Sequence, residues 1–518
     1  MSTVPVLVEP QSTAAPADSR FFRRLFPALG VCSLLGTCIL WSLKKQMWAD
    51  EVFTRTELSD PFLGHLLRAL QHLGGGGMPL FSLTAWPWVH VFGLSDLSLR
   101  LYSCAGICLA FLVLVGTLAR RLGVRAAFLG AAIGLFACMP VMEQNAEARG
   151  YGLYLLLCSL AIAQWLRVAE TARPGRRDLA FLALTQAGLV LGHVLALIYA
   201  VLMLAALMTA DFRQRRIRAG VYLSCIAGWL ALFLWMPAIR ASMAVGRPHG
   251  WIPVPRWDNL ALGLTMWLFG GVYYPLLRNF PSGIALCWLL VLLCVIGLIV
   301  VSVRAMIAGP AEARPICLLG LALTLGPVVF FIFSRVAAPI YVTRYMLPTA
   351  LGAAILVAGV IKRYGLAEGR GAVVIGSLLL LLPPATAALA KPNFLNVAEI
   401  DRVAGGRTLV CDWAQDFLVV KRYSAYPALF PLDWPAALEG QRHAVPDFHL
   451  MVNYRQEGYL PGSVQDQSEI LSRNSFLVLD NHDANWFRME IQNNPQFTWK
   501  LLATIDDEHR LLEVDRKR

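Results

Sequence analysis

Apolar stretches long enough to cross a lipid bilayer recur along the first three quarters of the chain. A membrane-spanning helix needs ~20 consecutive, mainly apolar residues, and stretches of this kind leave few other folds open to a chain. Of the 518 residues, 57% are hydrophobic and only 15% are charged, whereas an average soluble domain has about 25% charged residues. These values exclude a soluble globular protein and a disordered chain, and they predict a polytopic α-helical membrane protein.

About eleven spans account for these stretches. We place them at residues 25–43, 98–119, 126–142, 151–168, 178–192, 194–210, 219–238, 282–303, 315–334, 344–362 and 370–390. The apolar stretch from 178 to 210 is too long for one helix, so we divide it at a turn that contains His193. The segment 78–94 is short and contains two prolines and two tryptophans, and we expect it to lie in the membrane interface without crossing.

Basic residues mark alternate connections between these spans. They cluster before residue 25 and in the segments 120–125, 167–177, 211–218, 304–314 and 362–370. Because short cytoplasmic loops are enriched in Lys and Arg, the pattern predicts a cytoplasmic tail over residues 1–24 and an uncleaved first span. With an odd number of spans, the first large loop (44–97) and residues 391–518 then lie on the outer side of the membrane.

Residues 391–518 differ from the rest of the chain in composition. They contain 18 Asp and Glu against 14 Lys and Arg, whereas residues 1–390 contain 15 against 31. Short apolar runs at 409–411 and 476–479 predict buried strands, and 499–505 with 510–514 predicts a hairpin. We therefore expect a soluble α/β domain outside the membrane. It has no stripe of basic residues interleaved with aromatic ones, so no nucleic-acid partner is expected.

Two carboxylates directly follow the first span. Asp50 and Glu51 lie beside Trp48, at the membrane boundary where charge is costly. The pair is a candidate general base or cation ligand in an interfacial cleft. Spacing alone favours the simpler alternative, in which the carboxylates are solvated and cap the following turn.

Further polar residues fall in later outer connections. Glu147 and Arg149 precede Tyr151 at the start of a span, and they either pair with each other or reach a cleft shared with Asp50. The ring of a histidine at an outer turn, such as His193, more often forms hydrogen bonds with the backbone than acts as a ligand.

Arg335 and Arg344 are positive charges on the side where the topology rule disfavours them. An anionic partner at the membrane surface would explain them, and a lipid phosphodiester held by charge-assisted hydrogen bonds is the obvious candidate. The alternative is snorkelling of both side chains to ordinary headgroups.

Four motifs follow one another on the expected outer side. They are Asp50-Glu51, the stretch from Gly77-Met78-Pro79-Leu80-Phe81 to Leu99-Arg100-Leu101, the run from Gln144 to Tyr151, and Arg344-Tyr345-Met346-Leu347-Pro348. In this order they resemble the GT-C superfamily of polyprenyl-phosphate-sugar-dependent glycosyltransferases. The resemblance covers residues 20–390 and is closest to the family 39-like branch of protein O-mannosyltransferases and lipid A aminoarabinose transferases, which often have a His at the place of His193.

The resemblance implies a GT-C transmembrane catalytic domain over residues 25–390. It implies inverting transfer of a sugar from a polyprenyl-phosphate donor to a hydroxyl of a glycolipid, polysaccharide or protein, on the periplasmic face of a bacterial inner membrane. The site residues that it implies are Asp50 and Glu51 for catalysis, Arg344, Arg149 and Tyr345 for the donor phosphate, and Glu147, Tyr151, His193 and Arg335 for substrate.

No cofactor is expected, although some GT-C enzymes use a divalent metal. The periplasmic domain at 391–518 is expected to act as a lid or to dock the acceptor. The competing interpretation is a transporter or flippase for a polyisoprenoid lipid, without transferase chemistry. Such a protein should have internal repeats and charged residues deep in its helices, and the sequence has no convincing repeat and few acids in its spans.

Overall fold

The protein consists of a bundle of long helices followed by a domain built on a β-sheet. The computed structural model describes residues 17–73, 77–246, 252–267, 281–308, 313–367, 370–390, 392, 394–433, 446–481 and 486–517. Up to residue 390 its helices are Ala17–Ser42, Ala49–Leu58, Leu63–Leu73, Pro79–Phe92, Asp96–Leu122, Val124–Phe136, Met139–Asn145, Tyr151–Glu170, Arg176–Gly192, Ala196–Arg213, Ala219–Trp229, Met236–Gly246, Trp257–Thr265, Pro281–Ala308, Ala313–Thr324, Gly326–Val336, Pro348–Arg363 and Arg370–Leu389, with short 3-10 helices at Leu230–Trp235 and Thr343–Met346.

Each predicted span contains helical structure, but the number of spans is not confirmed. Within the described residues, eight helical segments are long and apolar enough to cross a membrane, or nine if the bent pair Val124–Phe136 and Met139–Asn145 is one span. Two further expected spans form helices of 17 residues, Arg176–Gly192, and 16 residues, Pro348–Arg363. The predicted interfacial segment is a helix of 14 residues, Pro79–Phe92, which is shorter than the ~20 residues that a span needs.

Small residues let the central helices pack closely. A Cβ atom added at Gly152 would lie 1.9 Å from the carbonyl oxygen of Ser103, and one added at Gly106 would lie 2.4 Å from the carbonyl carbon of Gly152. Side chains at Gly130 would likewise collide with the Pro348–Arg363 helix. Contacts between small residues are typical of helices that pack inside membranes.

This packing brings distant parts of the chain to one end of the bundle. The Asp96–Leu122 helix contacts the Tyr151–Glu170 helix extensively, and Val124–Phe136 contacts Pro348–Arg363 in the same way. Arg149 lies two residues before one of these helices begins, and Arg344 lies shortly before another. Both arginines therefore lie beside the chain that follows the first helix.

The C-terminal domain is an α/β domain, as predicted. Its helices are Val397–Ala404, Ala414–Tyr423, Pro446–Gln456, Gln467–Leu471 and Trp486–Asn493, and its strands are β1 (Leu409–Cys411), β2 (Ala428–Leu432), β3 (Val464–Asp466), β4 (Ser475–Asn481), β5 (Phe497–Thr504) and β6 (His509–Arg516). The strand order is β3-β2-β1-β4-β6-β5. Strands β1 to β4 pair in parallel with one another, whereas the predicted hairpin β5–β6 is antiparallel and its strand β6 pairs antiparallel with β4.

The C-terminal domain packs directly against the first loop (44–97). The helix Ala49–Leu58, which we call the Asp50 helix, contacts the Ala414–Tyr423 helix of that domain. Buried side chains of both regions form one hydrophobic cluster that includes Phe53, Leu66, Phe417 and Tyr454. The sheet domain is therefore a direct neighbour of the segment that carries the two candidate carboxylates.

Candidate active site

Asp50 and Glu51 lie in the first turn of the Asp50 helix, but they have different environments. The side chain of Asp50 is 26% exposed, whereas that of Glu51 is fully buried. Negative charge near a helix N-terminus is favoured by the partial positive charge of the first backbone N–H groups. Of the two neighbours, only Asp50 has a carboxylate that is accessible from outside the protein.

Two guanidinium groups flank the carboxylate of Asp50. Nη2 of Arg149 lies 3.8 Å from Oδ2 of Asp50, and Nη2 of Arg344 lies 3.6 Å from the same oxygen. Both distances are longer than a hydrogen bond between these groups. The three side chains therefore form a loose cluster of one negative and two positive charges, and the prediction of a cleft shared by Asp50 and Arg149 agrees with the geometry.

Arg149 is fixed by hydrogen bonds to the Asp50 helix. Its Nη1 atom donates to the carbonyl oxygen of Asp50 at 3.0 Å and to Oγ1 of Thr54 at 3.1 Å. Burial disfavours the charged guanidinium, but the nearby acidic groups, with Asp50 first among them, together outweigh burial, so the pKa of Arg149 is raised above its ordinary value. Arg149 thus stays charged and keeps its orientation toward Asp50.

Arg344 is held between aromatic rings. Its guanidinium carbon lies 5.4 Å from the centre of the Trp48 ring and 5.7 Å from that of Tyr345. These distances are within the ~6 Å at which a cation over an aromatic ring is stabilised. Trp48 and Tyr345 therefore orient Arg344. This role of Trp48 was not predicted from the sequence.

Glu51 is the centre of a buried hydrogen-bond network. Nε and Nη2 of Arg100 donate to its two carboxylate oxygens, each at 2.9 Å, and the backbone N–H of Ala148 donates to Oε1 at 2.8 Å. Arg100 also donates to the carbonyl oxygens of Lys45 and Gln46. The ion pair of Arg100 and Glu51 therefore connects the loop after the first helix, the Asp96–Leu122 helix and the segment before Arg149.

Sequence reasoning missed this role of Arg100. The motif that includes Arg100 was recognised, but no function was assigned to the side chain. One signal was available: an arginine at the start of an apolar helix needs a partner when it is buried, and Glu51 is an acid next to a span on the same side of the predicted topology.

Glu147 pairs with Lys45 and not with Arg149. Nζ of Lys45 lies 2.8 Å from Oε1 of Glu147, and Nε2 of Gln144 donates to Oε2 at 3.0 Å. Within the described part of the chain, no hydrogen bond or ion pair joins the side chains of Glu147 and Asp50. The expected alternatives for Glu147 were therefore incomplete, because Lys45 was not considered as its partner.

His193 lies among three tyrosines next to the charged cluster. Its ring stacks on Tyr154 at 4.7 Å with an angle of 13°, and the rings of Tyr151 and Tyr345 lie 5.8 Å and 5.5 Å away. Burial lowers the pKa of His193 to about 3, and the nearby charges of Arg149 and Arg344 act in the same direction. His193 is therefore neutral near pH 7, and its Nδ1 has no hydrogen-bond partner among the described residues.

Arg335 lies apart from this cluster. Its Nη1 donates to the carbonyl oxygen of Pro255 at 2.8 Å, and its guanidinium carbon lies 5.7 Å from the Phe331 ring and 6.0 Å from the Trp257 ring. The structure thus brings Asp50, Arg149, Arg344, Tyr345, Tyr151 and His193 together, but it places Arg335 in a different environment. As for metals, the described residues contain no group of three or more His, Cys, Asp or Glu that could hold an ion.

The C-terminal domain contributes hydrogen bonds on both sides of the Asp50 helix. Before the helix, the N–H of Met47 donates to Oη of Tyr423 at 2.9 Å. Near its end, Oη of Tyr454 donates to Glu57 at 2.6 Å, and burial raises the pKa of Glu57. The domain is therefore hydrogen-bonded to the helix that carries Asp50 and to the residues just before it.

The helical bundle, the Asp50 loop and the attached α/β domain define a multi-pass membrane protein with the GT-C fold. Two solved structures carry this assignment. The protein is similar to ArnT from Cupriavidus metallidurans in the apo state, with a TM-score of 0.58, 12% sequence identity, and coverage of 96% of this chain and 98% of that chain. It is similar also to ArnT from the same organism bound to undecaprenyl phosphate, with a TM-score of 0.57, 12% identity, and coverage of 95% and 97%.

Comparison of the sequence alone gives no match. No family model matches the chain, and no curated protein matches it significantly. The likeness to ArnT is therefore a likeness of fold, extending over nearly the whole length of both chains.

Proposed function

We propose that this protein is an inverting glycosyltransferase that moves a sugar from a polyprenyl-phosphate donor to an acceptor hydroxyl. The observation that carries the proposal is the position of one partly exposed carboxylate, Asp50, between the guanidinium groups of Arg149 and Arg344. An inverting displacement needs a base for the acceptor and positive charge for the departing phosphate. The fold supports the same assignment, since one of the similar ArnT structures is bound to undecaprenyl phosphate.

Asp50 acts as the general base in this proposal. Its carboxylate takes the proton of the acceptor hydroxyl as that oxygen forms a bond to the anomeric carbon of the sugar. The bond between this carbon and the phosphate oxygen breaks at the same time, and the electron pair stays on the phosphate. The polyprenyl phosphate thereby gains negative charge, and the sugar is transferred with inversion.

Arg344 and Arg149 stabilise the charge that the phosphate gains. Their distances to Asp50, 3.6 Å and 3.8 Å, are those of loose ion pairs, so a donor phosphate can replace Asp50 as their partner with little loss of interaction. Stabilisation of developing charge is stronger in a cleft with little water than in bulk solvent. Tyr345 lies beside Arg344 and forms part of the wall near the phosphate.

The remaining predicted site residues take different roles. Glu51 positions the Asp50 helix through Arg100 and does not transfer protons, which revises its expected catalytic role. Tyr151 and the neutral His193 form an aromatic wall of the substrate cleft. Glu147 orients Lys45, and Arg335 contributes through the segment that contains Trp257, outside the charged cluster.

We place the protein in a bacterial inner membrane, with the site and the domain at 391–518 in the periplasm. The support is the Lys and Arg content of alternate connections, together with the location of Asp50, Arg149 and Arg344 at one end of the bundle. No nucleotide sugar is available on that side, so a lipid-linked sugar is the donor chemistry that fits. The acceptor is a hydroxyl of a glycolipid, polysaccharide or protein of the cell envelope, and no metal takes part.

Mass spectrometry of envelope glycolipids and glycans tests this proposal. A deletion strain is complemented with the unaltered protein, with Asp50→Asn, or with Asp258→Asn, whose carboxylate is 65% exposed and lies in the helix Trp257–Thr265. We expect one sugar modification to disappear in the deletion strain, to return with the unaltered protein and Asp258→Asn, and to stay absent with Asp50→Asn at equal protein level.

A different outcome would favour a polyisoprenoid-lipid transporter. If Asp50→Asn restores the modification fully, Asp50 is not the base and the proposal is wrong. If the unaltered protein, purified and reconstituted in vesicles, moves a polyprenyl-phosphate lipid between leaflets without releasing polyprenyl phosphate from a sugar-charged donor, the transferase chemistry is absent.

A further inference from the structure

A second cavity lies on another side of the Asp50 helix, where the first loop (44–97) meets the C-terminal domain. It has a volume of about 600 Å³, which is within the range of small-molecule sites. Arg55 and Phe62 line it from the loop, and Lys421, Arg422 and Leu460 line it from the domain. Arg55 follows Asp50 by five residues, so the two side chains are about 7.5 Å apart along the helix axis and point in directions about 140° apart.

The basic groups of this cavity have fewer acidic partners than basic groups in the site of Asp50. Nε of Arg55 is buried and has no hydrogen-bond partner among the described residues. Neither Arg55 nor Lys421 has an acidic side chain at ion-pair distance within the described chain. Arg422 differs, since its Nη2 lies 2.9 Å from Asp96. Burial and the neighbouring charge of Arg422 lower the pKa of Arg55, and together they outweigh the opposite effect of the more distant Asp96 and Tyr423.

The acidic residues of the cavity are already bonded to other groups. Asp60 accepts a hydrogen bond from Tyr459 at 2.8 Å and contacts the ring nitrogen of His65. Glu457 lies 3.4 Å from the ring nitrogen of His72. The lining contains three cations (Arg55, Lys421 and Arg422) against these two carboxylates, so it carries one positive charge in excess.

We propose that this cavity is a binding site for a phosphorylated molecule, with the phosphate dianion between Arg55 and Lys421. Nε of Arg55 is a buried donor without a partner among the described residues, which is costly, and a dianion matches two cations that lack an acidic partner better than a carboxylate does. The planar guanidinium fork of Arg55 suits bidentate binding of phosphate oxygens. The apolar wall formed by Pro61, Phe62 and Leu460 would contact the part of the molecule to which the phosphate is attached.

This site is separate from the proposed transfer reaction and does not depend on it. The phosphate belongs either to the headgroup of a membrane lipid or to a soluble phosphorylated compound, because the cavity opens between a membrane-proximal loop and a soluble domain. Both sources share the same recognition chemistry, so the experiment uses one probe for each.

Thermal unfolding of the full-length protein in neutral detergent tests the proposal. The probes are inorganic phosphate, glucosamine 1-phosphate and dihexanoyl phosphatidic acid, each titrated at constant ionic strength with chloride as the reference anion. We compare the unaltered protein, Arg55→Gln and Arg68→Gln. Arg68 is an exposed arginine on the neighbouring helix Leu63–Leu73 and is absent from the cavity lining, so it controls for the loss of one positive charge.

We expect phosphate-bearing probes to raise the unfolding temperature of the unaltered protein and of Arg68→Gln, because a ligand that binds the folded state stabilises it. In Arg55→Gln the apparent affinity should fall about tenfold or more, as a charge-assisted contact is lost. Without any probe, Arg55→Gln should unfold at the same or a higher temperature, since it removes a half-buried cation that has no acidic side chain at ion-pair distance within the described chain.

Lys421→Gln provides a second variant, because Lys421 is exposed and its replacement does not disturb the core. It should weaken binding of the same probe. A stronger response to phosphatidic acid than to glucosamine 1-phosphate identifies a lipid headgroup, and the reverse order identifies a soluble compound. Equal responses of Arg55→Gln, Lys421→Gln and the unaltered protein to every probe, or no response at all, would overturn the proposal.

Discussion

Arg100 and Glu51 form a bidentate ion pair in the interior, with both nitrogen–oxygen distances at 2.9 Å, one residue away from the partly exposed carboxylate of Asp50. The side chains of Arg100 and Glu51 are 1% and 0% exposed. Adjacent acids in one helical turn thus have opposite environments. This difference separates a residue that holds the loop in place from a residue that meets a ligand.

The buried pair predicts a loss of stability when Glu51 is changed to Gln. The substitution leaves the charge of Arg100 buried without its counter-charge, which costs about 3–5 kcal/mol. Thermal and chemical unfolding in detergent measure the effect, with Glu399→Gln in the C-terminal domain as the control because its ion pair with Arg402 is on the surface. Unchanged stability combined with lost activity would instead make Glu51 a catalytic group.

The two arginines of the cluster should respond differently to replacement by Gln. Each substitution should lower the rate of transfer by about 10²-fold or more, because each removes a positive charge from the departing phosphate. Arg149→Gln should also destabilise the protein by about 1–3 kcal/mol, since Arg149 holds the carbonyl oxygen of Asp50 and Thr54. Initial rates and unfolding temperatures of both variants check this. Full activity of Arg344→Gln would argue against its role at the donor phosphate.

His193 should remain neutral throughout the working pH range. Its pKa in the folded protein is about 3, against about 6.5 in an unfolded chain, so the unfolded state binds the proton first. The contribution of His193 to stability is therefore complete above pH 6.5 and is lost as the pH falls toward 3.

The variant His193→Phe tests this direction of the pH dependence of stability, because it keeps the stacking on Tyr154 and cannot titrate. Its stability should fall less between pH 6.5 and 4 than that of the unaltered protein, as followed by thermal unfolding. The pH–rate profile between pH 6 and 8 should have the same shape in both proteins. If the rate changes with pH in that range in the unaltered protein but not in His193→Phe, the imidazole titrates during turnover.

The hydrogen bond from Tyr454 to Glu57 predicts energetic coupling between the C-terminal domain and the Asp50 helix. Tyr454→Phe should destabilise the protein by about 1–2 kcal/mol, because a buried acceptor loses its donor. A double-mutant cycle with Glu57→Gln measures the pairwise term, which should be about 1 kcal/mol. Additive effects of the two substitutions would mean that the domain and the helix are not coupled through this bond.

The helical fold and the main cluster could be predicted because both depend on one-dimensional patterns. Apolar lengths locate the helices, and basic connections group the remaining loops by side. Together they predict that Asp50, Arg149 and Arg344 lie on one side, and in the structure a charged nitrogen of each arginine lies within 4 Å of the carboxylate of Asp50.

The choice of ion-pair partners could not be predicted in the same way. Arg100 pairs with Glu51 and Lys45 pairs with Glu147, although every one of these residues lies on the same predicted side. Which acid meets which base depends on the rotation of each helix about its axis and on the close approach at Gly106 and Gly152. Neither quantity can be obtained from spacing along a single sequence.

The contacts of the C-terminal domain with the Asp50 helix could not be predicted from the sequence either. Its strands can be predicted from short apolar runs, but no pattern in the sequence assigns a contact to its tyrosines. Tyr423 and Tyr454 instead use their hydroxyl groups to reach Met47 and Glu57. A tyrosine whose ring is buried and whose hydroxyl group forms a hydrogen bond cannot be distinguished, in the sequence alone, from a tyrosine of the core.

The two tyrosine contacts enclose the Asp50 helix, one before its first turn and one at its last. A rigid helix that is anchored at both ends by the same folded unit turns and shifts with that unit as one body. Any molecule that tilts the sheet domain, even by docking far from the membrane, would therefore reorient the base mechanically, with no rearrangement inside the lipid-embedded helices.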